Sequence, residues 1–334
     1  MAGGTAGAAS IAMRDPLAAT PTLLLTRIAL SLGFHSWAHE LPEILSPDEV
    51  IMLPPDGDVS AAADAETAIG GPNPERFRAL LEAAPGLRWY HTLAAGVERL
   101  VPELIARPDL VLTNNSGAYD LAIAEHVVAT IFAAAKRLPA SFAAQGQHTW
   151  HEDPKSSDVR GATLVIFGMG SIGGELATIA RGLGMRVIGV RRSGADGSVA
   201  PERLADVAAE ADYLAVCAPL TQETEGSIDE DVLGRMKRTA WLINISRGAI
   251  VNEEALFSAV KEQRIGGAAI DAWWAEPLPK DSEWWDLPNV IVTPHTSFSS
   301  PSIRERSIAL IRENLRRFKA GEPLLNRVDP KLGY

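Results

Sequence analysis

The chain has a single cysteine, Cys217, among 334 residues. That excludes an intramolecular disulfide and is compatible with a reducing compartment. No run approaches the roughly 18 apolar residues that span a bilayer, so no membrane segment is expected. Basic residues are in deficit: 31 Lys plus Arg stand against 42 Asp plus Glu, a formal net charge of −11. A phosphate-backbone binder shows the opposite balance, so nucleic acid is not an expected partner. Self-similarity at solenoid periods is lacking too. The opening MAGGTAGAASIAMRDPLAAT has no early basic region followed by an apolar block. It reads as a flexible extension over 1–20 rather than a signal peptide, with folding proper starting near Pro21. A cytoplasmic location is the expectation.

Apolar material is ample. Hydrophobic residues are 46% and charged residues 22%, which excludes wholesale disorder and suits a soluble globular protein. The length suggests two domains. Short apolar runs alternate with helix-like segments, as in a parallel α/β layer structure. Thr22 to Ile28, EVIMLP, TAIGG and Leu87 to Leu93 read as strands, and Glu75 to Ala84 as a helix with Phe77, Leu80 and Leu81 on its apolar face. Asp120 to Arg137 reads as a long helix starting at an acidic N-cap. Leu121, Ile123, Val127, Val128, Ile131 and Phe132 make it apolar on more than one face, as for a buried helix or a subunit contact. The following PASFAAQGQHTWHEDPKSSDVRG reads as a surface loop. From Ala162 the runs TLVIFG, MRVIGV, YLAVCAP, AWLINIS, GAAIDAW and NVIVTP are near-continuously apolar, as for strands buried on both faces. A last amphipathic helix is expected over Ser302 to Phe318, with Lys319 and Gly321 as stop signals.

Gly168-Met169-Gly170-Ser171-Ile172-Gly173 directly follows one such strand and precedes a helix and a second strand. That is the context a dinucleotide-binding turn requires. The first glycine permits the turn, the second lets backbone approach a pyrophosphate, and the third lets helix and strand pack closely. Free N–H groups at the helix start would face the anion. A methyltransferase can use a similar turn, so the motif alone does not name the cofactor. The second strand ends in Arg191, Arg192 and Ser193, where an acid usually holds the adenosine ribose. Arginine cannot accept from ribose hydroxyls but can grip a 2′-phosphate, which favours NADP, with NAD as the alternative. Three polar residues follow successive strands: Arg247, Glu276 and His295. Strand C-termini converge on the ligand crevice of an open parallel sheet. Carbonyl reduction needs a proton donor, suiting histidine, a carboxylate to fix its ring, and a cation to bind and polarise substrate.

GMGSIG, CAPLTQET, NISRGAIVNEEAL, GAAIDAWWAEPLP and LPNVIVTPHTS match, in order and spacing, the D-specific 2-hydroxyacid dehydrogenases, which the chain resembles over about residues 87–334. The resemblance implies a central Rossmann doubly wound domain over 116–297 and a flavodoxin-like α/β substrate domain from 21–115 and 298–334, with hinges near Asn115 and Phe298. It implies Arg247 on the substrate carboxylate and carbonyl, His295 as acid/base, and Glu276 as its partner. Cofactor contacts are implied at Pro219, Ile245 and Asp271, the last on the nicotinamide side. Backbone N–H groups around Ala95 and Gly96 would bind substrate carboxylate; Glu98 stands where that loop usually carries Asp. The long helix would be a homodimerisation element, and the favoured substrates are glyoxylate and hydroxypyruvate. A non-enzymatic NAD(P)-binding sensor of the corepressor kind is the alternative.

Other signals are set aside. His148, His151, Glu152 and Asp153 have metal-like composition without a supporting helix, so no metal is expected. Trp150 lines a substrate pocket or anchors a loop. Trp273, Trp274, Trp284 and Trp285 are expected to pack around the sheet end. Cys217 is expected as inert core, and His126 as structural.

Overall fold

The computed structural model describes residues 27–31, 36–45, 48–152, 155–194 and 197–334. The expected extension over 1–20 lies outside them, as do residues 22–26 of the expected first strand, which is seen here as β1 (Arg27–Ser31). The chain divides into two compact units, residues up to 115 with 307–331, and 116–306 with 332–334.

The first unit holds β1, α1 (Leu41–Ile44), β2 (Glu49–Leu53), β3 (Thr67–Gly70), α2 (Pro74–Ala83), β4 (Trp89–Thr92), α3 (Val101–Ala106) and β5 (Val111–Thr113). All pairings are parallel, in the order β2-β1-β3-β4-β5, which is the flavodoxin-like arrangement. Helix α2 starts where Asn73 Oδ1 accepts from Arg76 N at 2.9 Å and Pro74 fills the first turn. Phe77, Leu80 and Leu81 of α2 are buried against the sheet core.

The second unit holds α4 (Asp120–Ala135), α5 (Leu138–Gly146), β6 (Thr163–Phe167), α6 (Ser171–Gly182), β7 (Arg186–Val190), α7 (Leu204–Ala208), β8 (Tyr213–Val216), α8 (Glu230–Arg235), β9 (Trp241–Asn244), α9 (Glu253–Lys261), β10 (Gly267–Ile270) and β11 (Val290–Val292). Its sheet is parallel, ordered β11-β10-β9-β8-β6-β7. β6, β8, β9 and β10 are buried throughout, matching their unbroken apolar runs. Outside β7, a single parallel bridge between Val190 and Val199 stands where the usual doubly wound order has a further strand. Strand order reverses about β6, so the loops after β6 and β8 flank the switch point. The last helix, α10 (Ser302–Ala320), runs two residues beyond its expected end and stops before Gly321 at φ +68°.

Two local expectations need correction. Asp120 does not cap α4: Tyr119 occupies that position, and Asp120 in the first turn accepts from Gly117 N and Ser171 Oγ. Residues 138–146 are the helix α5, not loop; it buries none of its residues, so Ala-rich propensity rather than an apolar stripe makes it. Arg137, in a left-handed conformation at φ 57°, separates it from α4. Trp150 is 91% exposed, and its Nε1 donates to Glu152 Oε1 at 3.3 Å within its own loop. No single described helix is long and apolar enough to cross a membrane.

Candidate functional site

The glycine turn leaves β6 at the switch point. Gly168 has φ +105°, and a Cβ there would lie 2.3 Å from Ala218 N, in the loop after β8. Only glycine fits both constraints. A Cβ on Gly173 would lie 2.1 Å from Gly168 O, so this residue lets α6 sit against the turn. Gly170, the N-cap of α6, makes no side-chain cap bond, and a Cβ there would meet open space. Orphan N–H groups of a helix start beside an open face suit a pyrophosphate. Ser171 exchanges a hydrogen bond with Ser116 at 2.9 Å, Ile172 is partly exposed, and Met169 packs its side chain over Gly189 of β7. Burial pushes the Asp120 carboxyl up, against the hydrogen bonds from Gly117 and Ser171 that pull it down.

Arg191, Arg192 and Ser193 are exposed at the end of β7, where Gly194 N closes a turn on Arg191 O at 3.0 Å. Pro219 O accepts from Thr224 Oγ1 at 2.6 Å in the loop after β8. Cys217 N donates to Phe167 O at 2.7 Å; the residue is partly exposed rather than the core position expected of it, and desolvation of its thiol pushes the pKa up to about 12, so it stays protonated.

The remaining residues leave three adjacent strands. Asn244, Ile270 and Val292 are in register at the ends of β9, β10 and β11. Arg247 follows the first by three residues, Glu276 the second by six, and His295 the third by three. Buried Asn244 ties the first two loops down: its Nδ2 donates to Arg247 O at 3.0 Å and Ala272 O at 3.5 Å, and its Oδ1 accepts from Ser246 N at 3.1 Å. Ile245 is buried beside it. Arg247 Nη1 donates to Ser246 O at 2.7 Å. Gly248 packs so closely on the peptide between Trp273 and Trp274 that a Cβ would come within 2.6 Å.

Glu276 accepts from Trp273 N at 2.9 Å, which aims its carboxylate back across the loop. His295 Nδ1 lies 2.9 Å from both Glu276 oxygens, so the sequence-predicted pair is in direct contact. His295 has φ +53°, a conformation uncommon for a residue other than glycine. Asp271 holds that turn: Oδ1 accepts from Thr296 N at 2.9 Å and Thr293 Oγ1 at 2.7 Å, and Oδ2 from Ser297 N at 3.0 Å. Burial alone would raise this carboxyl, but the hydrogen bonds from Ser297, Thr293 and Thr296 hold it below its ordinary value. Asp271 thus faces the loop of His295. Asn244, Thr293 and this anchoring function of Asp271 escaped the sequence reading; a polar residue closing an apolar strand was the available signal at Asn244. His126 Nε2 lies 3.5 Å from Thr293 Oγ1, and burial lowers its pKa.

Trp273, Trp274 and Trp284 pack together below these loops, Trp274 stacked on Trp284 at 5.8 Å. Trp285 departs from the expectation: it is 51% exposed. Ala95 and Gly96 lie in the first unit, on the partly exposed loop after β4, where Ala95 O accepts from Asn114 Nδ2 at 2.9 Å. Among the described residues no group of three His, Cys, Asp or Glu side chains is placed to hold a metal ion.

Residues 128–297 match the family described as D-isomer specific 2-hydroxyacid dehydrogenase, NAD binding domain. A glyoxylate reductase of Korarchaeum cryptofilum is 35% identical over 263 residues, covering 76% of this chain and 79% of that protein. A D-isomer specific 2-hydroxyacid dehydrogenase from Xanthobacter autotrophicus Py2, solved with NADPH and MES, superposes with TM-score 0.80 at 28% identity, covering 93% of this chain and all of that one. An NADPH-dependent glyoxylate/hydroxypyruvate reductase from Sinorhizobium meliloti, solved with NADP and sulfate, gives TM-score 0.81 at 25% identity, with 92% and 100% coverage.

Proposed function

The chain belongs to the D-isomer specific 2-hydroxyacid dehydrogenase family of nicotinamide-dependent oxidoreductases, and on that premise we propose that it reduces glyoxylate or hydroxypyruvate to the D-2-hydroxy acid, with NADPH preferred and His295 as proton donor. The observation carrying the reading is the His295–Glu276 contact at the carboxyl ends of β10 and β11, in the unit that holds the glycine turn.

The N–H groups at the start of α6 would hold the pyrophosphate, and Arg191, Arg192 and Ser193 the 2′-phosphate of the adenosine ribose. When bound, the reduced nicotinamide supplies a hydride to the substrate carbonyl carbon. The chain's own residues do the rest. The Arg247 guanidinium binds the substrate carboxylate and polarises the adjacent carbonyl, and its bond to Ser246 O limits its swing. Glu276 engages His295 Nδ1, which leaves Nε2 to give its proton to the developing alkoxide. In the reverse direction the same nitrogen takes the proton from the hydroxy acid. We also assign the face carrying Phe132, Leu138 and Phe142, exposed large hydrophobics of α4 and α5, to a homodimer contact.

The experiment is loss of reduced-cofactor absorbance with NADPH and NADH in parallel, against glyoxylate, hydroxypyruvate, pyruvate and a bulky aromatic 2-oxo acid. Turnover of the small acids with NADPH preferred is expected. Tight NADPH binding without turnover of any acid overturns the reading in favour of a sensor.

A further inference from the structure

The end of β7 is met by two segments distant in sequence. The ring of Tyr334 lies under the Arg192 guanidinium, whose central carbon is 5.6 Å from the ring centroid. Residues 332–334 group with the second unit although the preceding stretch groups with the first. From the loop after β8, Glu223 brings a carboxylate oxygen to 3.9 Å from Arg192 Nη1. The two contacts differ in kind. A ring has no lone-pair oxygen or nitrogen to occupy the N–H groups, so a guanidinium lying over one still has donors for an anion. The Glu223 contact is longer than a hydrogen bond, and both side chains are largely exposed, so it is weak and readily displaced. The arrangement holds the arginine in one place without using up its donors. A dianionic phosphate would take those donors and would be repelled by Glu223.

We propose that Tyr334 is a positioning residue for cofactor choice: its ring holds Arg192 ready for a 2′-phosphate, while Glu223 opposes the phosphate. This rests on the NADPH preference proposed above and extends it to two residues outside the nucleotide-binding βαβ unit. A bound NADH, lacking the phosphate, gains nothing from Tyr334.

The test is equilibrium binding by fluorescence titration with NADPH, NADH, adenosine 2′,5′-bisphosphate and AMP, on the full chain. Tyr334→Ala is expected to weaken NADPH and the bisphosphate about two- to fivefold, the size of an exposed cation–π contact. NADH and AMP are expected to stay unchanged, and Tyr334→Phe to behave as wild type. In an Arg192→Ala background Tyr334→Ala should have no further effect. Glu223→Gln should tighten NADPH and leave NADH unchanged. Wild-type preference for NADPH with an unshifted NADPH-to-NADH ratio in Tyr334→Ala overturns this inference alone. A wild-type protein that binds NADH as tightly as NADPH overturns the cofactor preference, and this inference with it.

Discussion

His295 is held in a left-handed backbone conformation, which costs a non-glycine residue about 1–2 kcal/mol. Asp271 offsets that cost by accepting the two backbone N–H groups that follow it, Thr296 and Ser297. Glu276 then fixes the ring. On the proposed reading, proton donation and loop anchoring are divided between different residues, and substitutions should separate them. His295→Ala should lower kcat by about 10²- to 10⁴-fold, the usual worth of a positioned acid, and leave NADPH affinity unchanged. Stopped-flow turnover beside a binding titration reads both; parallel losses would count against the acid role. Asp271→Ala should lower kcat about tenfold to a hundredfold by displacing the ring. It should also lower the melting temperature, because the Thr293 hydroxyl and the two N–H groups lose their acceptor. Unchanged kcat in a correctly folded Asp271→Ala variant would refute the anchoring.

Among elements, α6 gives the sharpest contrast. Gly173 and Gly174 are neighbours in sequence, yet a Cβ on Gly173 would collide with Gly168 O while one on Gly174 meets nothing within 4 Å. Gly173→Ala should therefore unfold at lower temperature and lose cofactor binding. Gly174→Ala should be neutral or up to about 1 kcal/mol more stable, from helix propensity. Thermal melts of the two variants decide this; equal destabilisation would contradict the packing ascribed to Gly173. Strand β6, which leads into α6, was legible in the sequence because burial on both faces leaves an unbroken apolar run, as in Leu164, Val165 and Ile166. Helix α5 was not, because Leu138–Gly146 buries no residue and so writes no periodicity. The positions of Arg247, Glu276 and His295 at strand ends were legible for the same reason the strands were. The anchors were not: Asp271 reaches residues more than twenty positions away, and only the register of β10 against β11 brings them together. Tyr334 on Arg192 is further still from anything local patterning records.

The whole molecule's response to acid depends on groups away from the proposed chemistry. His91, in β4 of the first unit, is fully buried, and its Nδ1 lies 2.8 Å from Thr113 Oγ1. Burial lowers its pKa to about 4, from an ordinary 6.5, although the neighbouring Asn115 side chain acts in the opposite direction. The folded chain therefore keeps this ring neutral where the unfolded chain protonates it. Its contribution is undiminished above pH 6.5, and stability falls as the pH drops from 6.5 towards 4. The loss across that window is about 3 kcal/mol, because each tenfold difference in proton affinity between the folded and unfolded chain corresponds to about 1.4 kcal/mol. Asp271 acts over a different range. Its carboxyl is held below the ordinary 3.8, so its contribution stays intact above that value and is lost only as the pH falls further. Between pH 6.5 and about 5, above the range where the carboxylates held low by arginine, such as Glu313, begin to contribute, the loss should therefore trace to buried histidine. Denaturant midpoints measured at pH 7.5, 6, 5 and 4.5 should fall steeply for the wild type. In His91→Gln, which has no proton to take up, they should fall less, so the two curves converge towards low pH. Parallel curves would show that burial of His91 does not govern the acid limb, because a neutral amide at that position removes its proton linkage and nothing else that titrates.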